Sequence, residues 1–245
     1  MSIEIEKFKL DVEQRIESFG SDNQLKKLAY DFLVESMQKM YVYNFSWLGR
    51  PIIQYPQDMV AIQEIIYQVK PDLIIETGIA HGGSIVFSAS ILELIGGEGE
   101  VLGIDIDIRE HNRKEIENHR MAKRIKMIQG SSISEDTIKQ VYEIAKNKKN
   151  ILVILDSNHT HEHVLAELNA YAHLVTKESY CIVLDTFVQD VPEKFFANRP
   201  WDVNNNPKTA VWEYLRENDN FEIDKNPENK SLITVAPDGY LKRVK

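Results

Sequence analysis

Five short apolar runs, each separated from the next by a stretch with helical spacing, constrain this chain more than anything else in it. They are Leu73-Ile74-Ile75, Val101-Leu102-Gly103-Ile104, Ile125-Lys126-Met127-Ile128, Ile151-Leu152-Val153-Ile154-Leu155 and Tyr180-Cys181-Ile182-Val183-Leu184. The runs are continuous rather than alternating, so each strand must be covered on both faces. That is the property of a parallel sheet layered between helices. Helices are expected over Ser84 to about Leu94 and over about 111–123, 134–147 and 161–174. The fold class read from this pattern is α/β, with a mostly parallel sheet. Phe221-Glu222-Ile223 and Leu232-Ile233-Thr234-Val235 are expected to pair around a loop and add antiparallel edge strands at the C-terminus.

Upstream of the runs, residues 1 to about 40 read as two helices broken at Gly20-Ser21-Asp22, with Ser21 or Asp22 capping the second. The aromatic stretch Tyr41, Tyr43, Phe45 and Trp47, followed by Gly49-Arg50-Pro51, reads as a loop, and Pro56-Gln57-Asp58 opens a further helix. A chain of 245 residues with 43% hydrophobic residues buries a substantial core, and 11 Gly with 8 Pro exclude collagen-like and low-complexity classes. The net charge of −9 argues against nucleic acid or an anionic membrane as partner, since both call for a basic face. The single cysteine, Cys181, builds neither an intramolecular disulfide nor a thiolate metal site and reads as buried strand. The N-terminus lacks the basic-then-apolar pattern of a signal peptide, and no stretch approaches the ~18 apolar residues of a spanning helix, so a cytoplasmic protein is expected.

Ligands of open parallel sheets bind at the carboxyl ends of the strands. Those ends carry Glu76-Thr77-Gly78, Asp105, Gly130-Ser131-Ser132, Asp156 and Asp185. Acids converging on one rim repel one another unless a ligand or cation compensates. The first turn reads Glu76-Thr77-Gly78-Ile79-Ala80-His81-Gly82-Gly83-Ser84. A dinucleotide site calls for G-x-G-x-x-G there, and a carboxylate just before the glycine repels a pyrophosphate. It favours instead a positively charged ligand such as the amino-acid moiety and sulfonium of S-adenosylmethionine. Asp105, ending the second strand, is suited to accept from ribose hydroxyls. Together these signals favour a class I methyltransferase over a dehydrogenase.

The segment from Trp47 to Asp190 resembles the cephalosporin hydroxylase family, which includes sugar O-methyltransferase relatives. The matching pieces are Glu76-Thr77-Gly78 with Gly82-Gly83-Ser84, Gly103-Ile104-Asp105-Ile106-Asp107, Gly130-Ser131-Ser132, Leu155-Asp156-Ser157-Asn158-His159-Thr160-His161-Glu162-His163-Val164 and Tyr180 through Thr186. Asn205-Asn206-Pro207 through Ala210-Val211 extend the match. The resemblance implies a Rossmann-like, S-adenosylmethionine-dependent methyltransferase acting on a hydroxyl of a small molecule or sugar with help from a divalent cation. It places Glu76, Gly78, Ser84, Asp105, Ser131 with Ser132, and Asp156 around S-adenosylmethionine, and Asp156 and Asp185 as magnesium ligands. The family often has Glu before the second of these acids; here that position is Leu184, which removes one oxygen ligand. Magnesium keeps most of its waters, so two carboxylates still suffice for a weaker site.

His159, His161 and His163 follow Asp156. Were the backbone extended, all three would share a face and suggest a zinc or iron centre. Between a strand and a helix, His161 and His163 instead start the helix and point apart. His159, nearest Asp156, is the candidate general base for methyl transfer to a hydroxyl, or else fixes the loop by hydrogen bonds. The aromatics at 41–47 read either as an acceptor pocket or as core, and Phe195, Phe196, Arg199, Pro200 and Trp201 as a lid over the acceptor. Neither an internal repeat nor a long linker is present. Residues 1–245 therefore read as one methyltransferase-like domain, with 1–50 a helical extension that suits a homo-oligomer and 51–245 the Rossmann-like core. Two other readings remain: a metal-dependent hydroxylase using Asp156, His159 and His161, and a relative that binds S-adenosylmethionine without catalysis.

Overall fold

A computed structural model describes residues 2–245. Helices α1 (Ile3–Ser21) and α2 (Asn23–Gln38) meet at Asp22, whose carboxylate accepts from the Leu25 amide at 2.9 Å and caps α2. The aromatic stretch is not a plain loop. Tyr41–Asn44 forms a single 3-10 turn, and β1 (Phe45–Trp47) pairs antiparallel with β2 (Arg50–Ile52). Leu48 and Gly49 turn this hairpin with φ of 47° and 87°. Such a turn favours Asn-Gly, so Leu48 hid it. The Leu48 carbonyl is held by His119 Nε2 at 3.0 Å.

Helix α3 (Pro56–Val69) leads into the alternating core: β3 (Leu73–Thr77), α4 (Gly83–Ile95), β4 (Glu100–Asp105), α5 (Glu110–Glu117), β5 (Ile125–Gln129), α6 (Glu135–Ala145), β6 (Ile151–Leu155), α7 (His161–Tyr171) and β7 (Tyr180–Val183). A long segment then reaches α8 (Pro207–Glu217), β8 (Phe221–Ile223), α9 (Asn226–Ser231) and β9 (Tyr240–Arg243). The seven strands lie in the order β5-β4-β3-β6-β7-β9-β8, the first five parallel and the last two antiparallel. Leu73, Ile75, Val153 and Cys181 pack beneath α6–α8, while Ile74, Leu152 and Ile182 pack on the α3–α4 side. Both faces are therefore covered, as continuous apolar runs require.

The antiparallel edge is as expected, but its partner is not. β8 pairs with β9, whereas Leu232–Val235 runs as a loop after α9, half-buried at Leu232 and Ile233 and buried at Thr234 and Val235. That loop is apolar because Val235 is part of the core and Ile233 packs against it, and it is tied to α3, where Asp58 accepts from Thr234 Oγ1 at 2.5 Å and from the Val235 amide at 3.0 Å. The chain leaves β3 for β4 and β5, then returns to the other side of β3 as β6. The crevice at this switch point lies above Thr77, Asp105 and Leu155, where ligands bind in such sheets. Among the described residues no helix is long and apolar enough to cross a membrane.

Candidate functional site

A cavity of about 330 Å³ opens at this crevice. Its first wall is the turn between β3 and α4. Gly78 takes φ +87°, and a Cβ there would fall 2.1 Å from the Asp156 carbonyl oxygen, so only glycine lets the ends of β3 and β6 pass this closely. Asp105 stitches the turn together, its Oδ2 accepting from the Ile79 amide at 2.8 Å and the Ala80 amide at 3.2 Å. From outside, Arg50 donates through Nε (3.1 Å) and Nη2 (2.6 Å) to the His81 carbonyl, and Nη2 also reaches Asn112 Oδ1 at 2.9 Å. Asn112 Nδ2 in turn donates to the Ala80 carbonyl at 3.1 Å. The hairpin is pressed on the same turn, since a Cβ on Gly83 would fall 2.1 Å from the Pro51 carbonyl oxygen.

Glu76 lies beneath the turn, 1% exposed. Ser84 Oγ donates to its Oε1, while its Oε2 is buried with no hydrogen-bond partner among the described residues. Burial pushes this carboxyl up to about 7, with the Ser84 hydrogen bond opposing. A buried acid with one unsatisfied oxygen beside a glycine turn fits a ligand ammonium group.

The opposite wall carries Asp156, His159 and Asp185, each offering one ligand atom, all within 4.8 Å of one another. Asp156 follows β6. Asp185 sits just past β7 at φ 55°, where the chain turns into a 3-10 helix over Thr186–Gln189. Burial, then the charge of Asp185, then those of Glu76, Glu167 and Asp58 push the Asp156 carboxyl well above the ordinary range. His159 Nε2 lies 3.1 Å from Asp185 Oδ2, and its ring meets Trp201 edge-on at 4.6 Å between centroids. Two half-buried carboxylates and an imidazole around one point match a small divalent cation. Leu184 lines the same cavity and has no side-chain oxygen to offer.

The remaining expected residues are divided between the cavity and its supports. Gly78, Ser84, Asp105, Asp156 and Asp185 are on its walls, whereas Glu76, which lies behind Ser84, and Ser131 and Ser132 are not. Ser132 is 5% exposed and turns inward, its hydroxyl 3.1 Å from His163 Nε2 and its carbonyl accepting from the Tyr171 hydroxyl. His163 also approaches Ser157 Oγ at 3.2 Å, and Ser157 donates to the fully buried Glu167 at 2.7 Å, tying the β5 and β6 turns together. His161 points the other way, to Thr209 at 2.8 Å and Glu213 at 3.2 Å on α8. The histidines thus diverge as the helical reading required.

Trp47 is a packing residue, donating to Ser90 Oγ at 2.9 Å and standing edge-on to Phe87, while Tyr43 reaches the cavity. Phe196, Arg199 and Trp201 line it too, in the place expected of a lid. Asn206 caps α8 through a reciprocal pair with Thr209. Arg50 and Gln54 escaped the sequence reading. Arg50 carried no signal beyond a basic residue between Gly and Pro, but a lone glutamine in Ile52-Ile53-Gln54-Tyr55 is a recognisable anomaly.

The sequence model for the family described as Rhamnosyl O-methyltransferase/CmcI matches residues 39–244. The rhamnosyl O-methyltransferase of Mycobacterium leprae (strain TN) is 30% identical over 223 residues, which span 87% of this chain and 91% of that protein. The rhamnosyl O-methyltransferase of Mycobacterium bovis is 30% identical over 222 residues, spanning 87% of this chain and 86% of that one. Among solved structures, CmcI in a Mg–SAM form aligns with a TM-score of 0.57 at 19% identity, covering 83% of this chain and 78% of that one. The O-methyltransferase from Bacillus cereus in complex with SAH gives 0.53 at 14% identity, covering 82% of each. These structural likenesses establish a Rossmann-like methyltransferase fold. With the match running over most of its length, the chain belongs to the rhamnosyl O-methyltransferase/CmcI family.

Proposed function

We propose that this protein is an S-adenosylmethionine-dependent O-methyltransferase whose acceptor is a hydroxyl of a sugar, of rhamnosyl type as in the named relatives. One observation carries the reading. A single cavity joins a glycine turn backed by Glu76 and Asp105 to the Asp156–His159–Asp185 cluster. At the first end, Asp105 retains acceptor capacity for ribose hydroxyls beyond the turn amides it holds. Glu76, with Ser84, takes the ammonium of the cofactor's amino-acid moiety, and Gly78 lets the ligand approach the backbone. Ser132 acts from behind the wall by holding His163.

At the second end, Asp156 and Asp185 are the residues to hold magnesium, which accepts few protein oxygens and keeps its waters. When bound, such an ion lowers the pKa of the acceptor hydroxyl and orients it. His159 is then free to act as base. With Asp185 Oδ2 beside Nε2, the imidazole takes the acceptor's proton on its other nitrogen, and Asp185 stabilises the resulting cation. Trp201 fixes the ring and, with Phe196, shields the reacting oxygen from water. Transfer is an in-line displacement, so rate comes mainly from positioning. The iron-hydroxylase alternative needs His161 in the same centre, whereas its ring is bound to α8.

The proposal takes residues 1–245 as one methyltransferase-like domain and the cytoplasm as its location. A second copy of the chain is the partner for α1, where Ile3, Phe8 and Leu10 are 81%, 64% and 57% exposed. The decisive experiment is transfer of labelled methyl from S-adenosylmethionine to a panel of rhamnosides, with magnesium or with EDTA. Saturable cofactor binding and magnesium-stimulated transfer are expected, with Asp185→Asn abolishing the stimulation. Failure to bind S-adenosylmethionine under either condition refutes the proposal, and binding without transfer to any acceptor supports a non-catalytic relative.

A further inference from the structure

Between β2 and α3 the chain runs Ile53-Gln54-Tyr55 along the cavity's inner wall. Gln54 is 4% exposed, lines the cavity, and has its Oε1 buried with no hydrogen-bond partner among the described residues. A buried amide oxygen without a partner destabilises the protein that carries it, and on a cavity wall an ordered water or a bound ligand completes it. Placement indicates which ligand. Two residues before Gln54, the Ile52 backbone abuts Gly83 at the edge of the glycine turn. Four residues after it, Asp58 holds the amide of Val235, on the wall that includes Leu184 and Phe187. Gln54 therefore lies where the cofactor side gives way to the acceptor side. The cavity's lining includes the apolar Val42, Ile53, Leu184, Phe187 and Val235. An apolar wall does not orient a polyol, whereas one amide offers an acceptor and a donor together, the match for adjacent hydroxyls on a sugar ring.

We infer that Gln54 is a specificity-determining residue that hydrogen-bonds an acceptor hydroxyl neighbouring the one methylated. This rests on the methyltransferase reading above. The test uses methyl α-L-rhamnopyranoside and its 2-, 3- and 4-deoxy analogues, titrated by calorimetry into the full-length protein saturated with S-adenosylhomocysteine. Gln54→Leu is expected to weaken rhamnoside binding at least ~10-fold while S-adenosylhomocysteine affinity stays within about twofold. Its melting temperature is expected to equal or exceed that of the wild type, because the unsatisfied oxygen is gone. One deoxy analogue should bind the wild type worse than the parent sugar and bind Gln54→Leu equally well. If Gln54→Leu fails to fold, Gln54→Asn, with its amide drawn back by one methylene, must show the same selective loss.

Loss of nucleoside affinity with rhamnoside binding intact overturns the inference and assigns the amide to the cofactor. Unchanged affinity for both ligands overturns it as well. A wild type that binds S-adenosylhomocysteine but no rhamnoside overturns it while leaving the methyltransferase reading in place. A wild type that binds no nucleoside removes both.

Discussion

Gly78→Ala tests whether the approach of β3 to β6 is what builds the site. Gly78 sits at φ +87°, a region where an L side chain costs about 1–2 kcal/mol. The new Cβ would stand 2.1 Å from the Asp156 carbonyl oxygen, 2.6 Å from its carbonyl carbon and 3.0 Å from Ser157 Cα, all backbone atoms. No rotamer relieves such a contact. The strand ends must separate by about 1 Å although the Asp156 amide donates to the Thr77 carbonyl at 3.0 Å. Overpacking of this kind costs about 1–3 kcal/mol, which with the backbone contribution gives about 2–5 kcal/mol. For a chain of this size that lowers the melting temperature by roughly 4–20 °C. The displacement carries Asp156 away from His159 and Asp185, and a misplacement of about 1 Å is enough to reduce turnover ~10²-fold. Gly97→Ala is the control: Gly97 has φ +76° and open space around the would-be Cβ, so it registers the backbone contribution alone. Differential scanning calorimetry and methyl-transfer kinetics on both variants decide the matter. If Gly78→Ala melts and turns over like Gly97→Ala, the close approach of the two strands is not a determinant of the site.

Two further outcomes concern single groups. Glu76 is pushed up to about 7 from an ordinary 4.5, and Asp58 to about 6 from 3.8, both by burial, so the folded protein keeps protons that the unfolded chain has released. The contribution of these two groups to the stability of the ligand-free protein is therefore fullest below about 4 and falls as pH rises through 6 and 7; Glu76→Gln should make the upper part of the pH dependence in urea unfolding curves less negative, and parallel slopes for variant and wild type count against it. His159→Gln is expected to cut turnover by ~10²–10⁴ and leave S-adenosylmethionine affinity unchanged in calorimetry, whereas a loss below about tenfold removes His159 as base.

Legibility of this chain follows the range of the forces involved. The parallel sheet was readable because double-sided burial writes continuous apolar runs, and the cap at Asp22 because it acts on an amide three residues away. The acids at strand ends were readable because strand interiors exclude them. Leu232–Val235 misled because packing Ile233 and Val235 into the core leaves the same apolar signature as pairing in a sheet. The hairpin at 45–52 was hidden by Leu48, whose left-handed conformation is accompanied by a hydrogen bond from His119, a long-range partner. Ser131 and Ser132 matched a motif, but whether a strand-end serine faces the ligand or supports the wall depends on distant partners, here His163 at the Ser132 hydroxyl and Tyr171 at its carbonyl. Arg50 and Gln54 precede the first strand of the main sheet, and only tertiary packing brings them to its rim.

The reach of Arg50 bears on how such enzymes can be recombined. The segment before the sheet is where relatives would naturally be spliced to exchange acceptor preference, since Tyr43 and Ile52–Gln54 lie there. A cut between residues 50 and 51 divides β2 and separates the guanidinium from the strand that aims it. A chimera that imports a new N-terminal segment must bring a hairpin whose arginine still finds the His81 carbonyl and Asn112 of α5 in the recipient. Without that match, a graft intended to change the acceptor is expected to lose the methyl donor first.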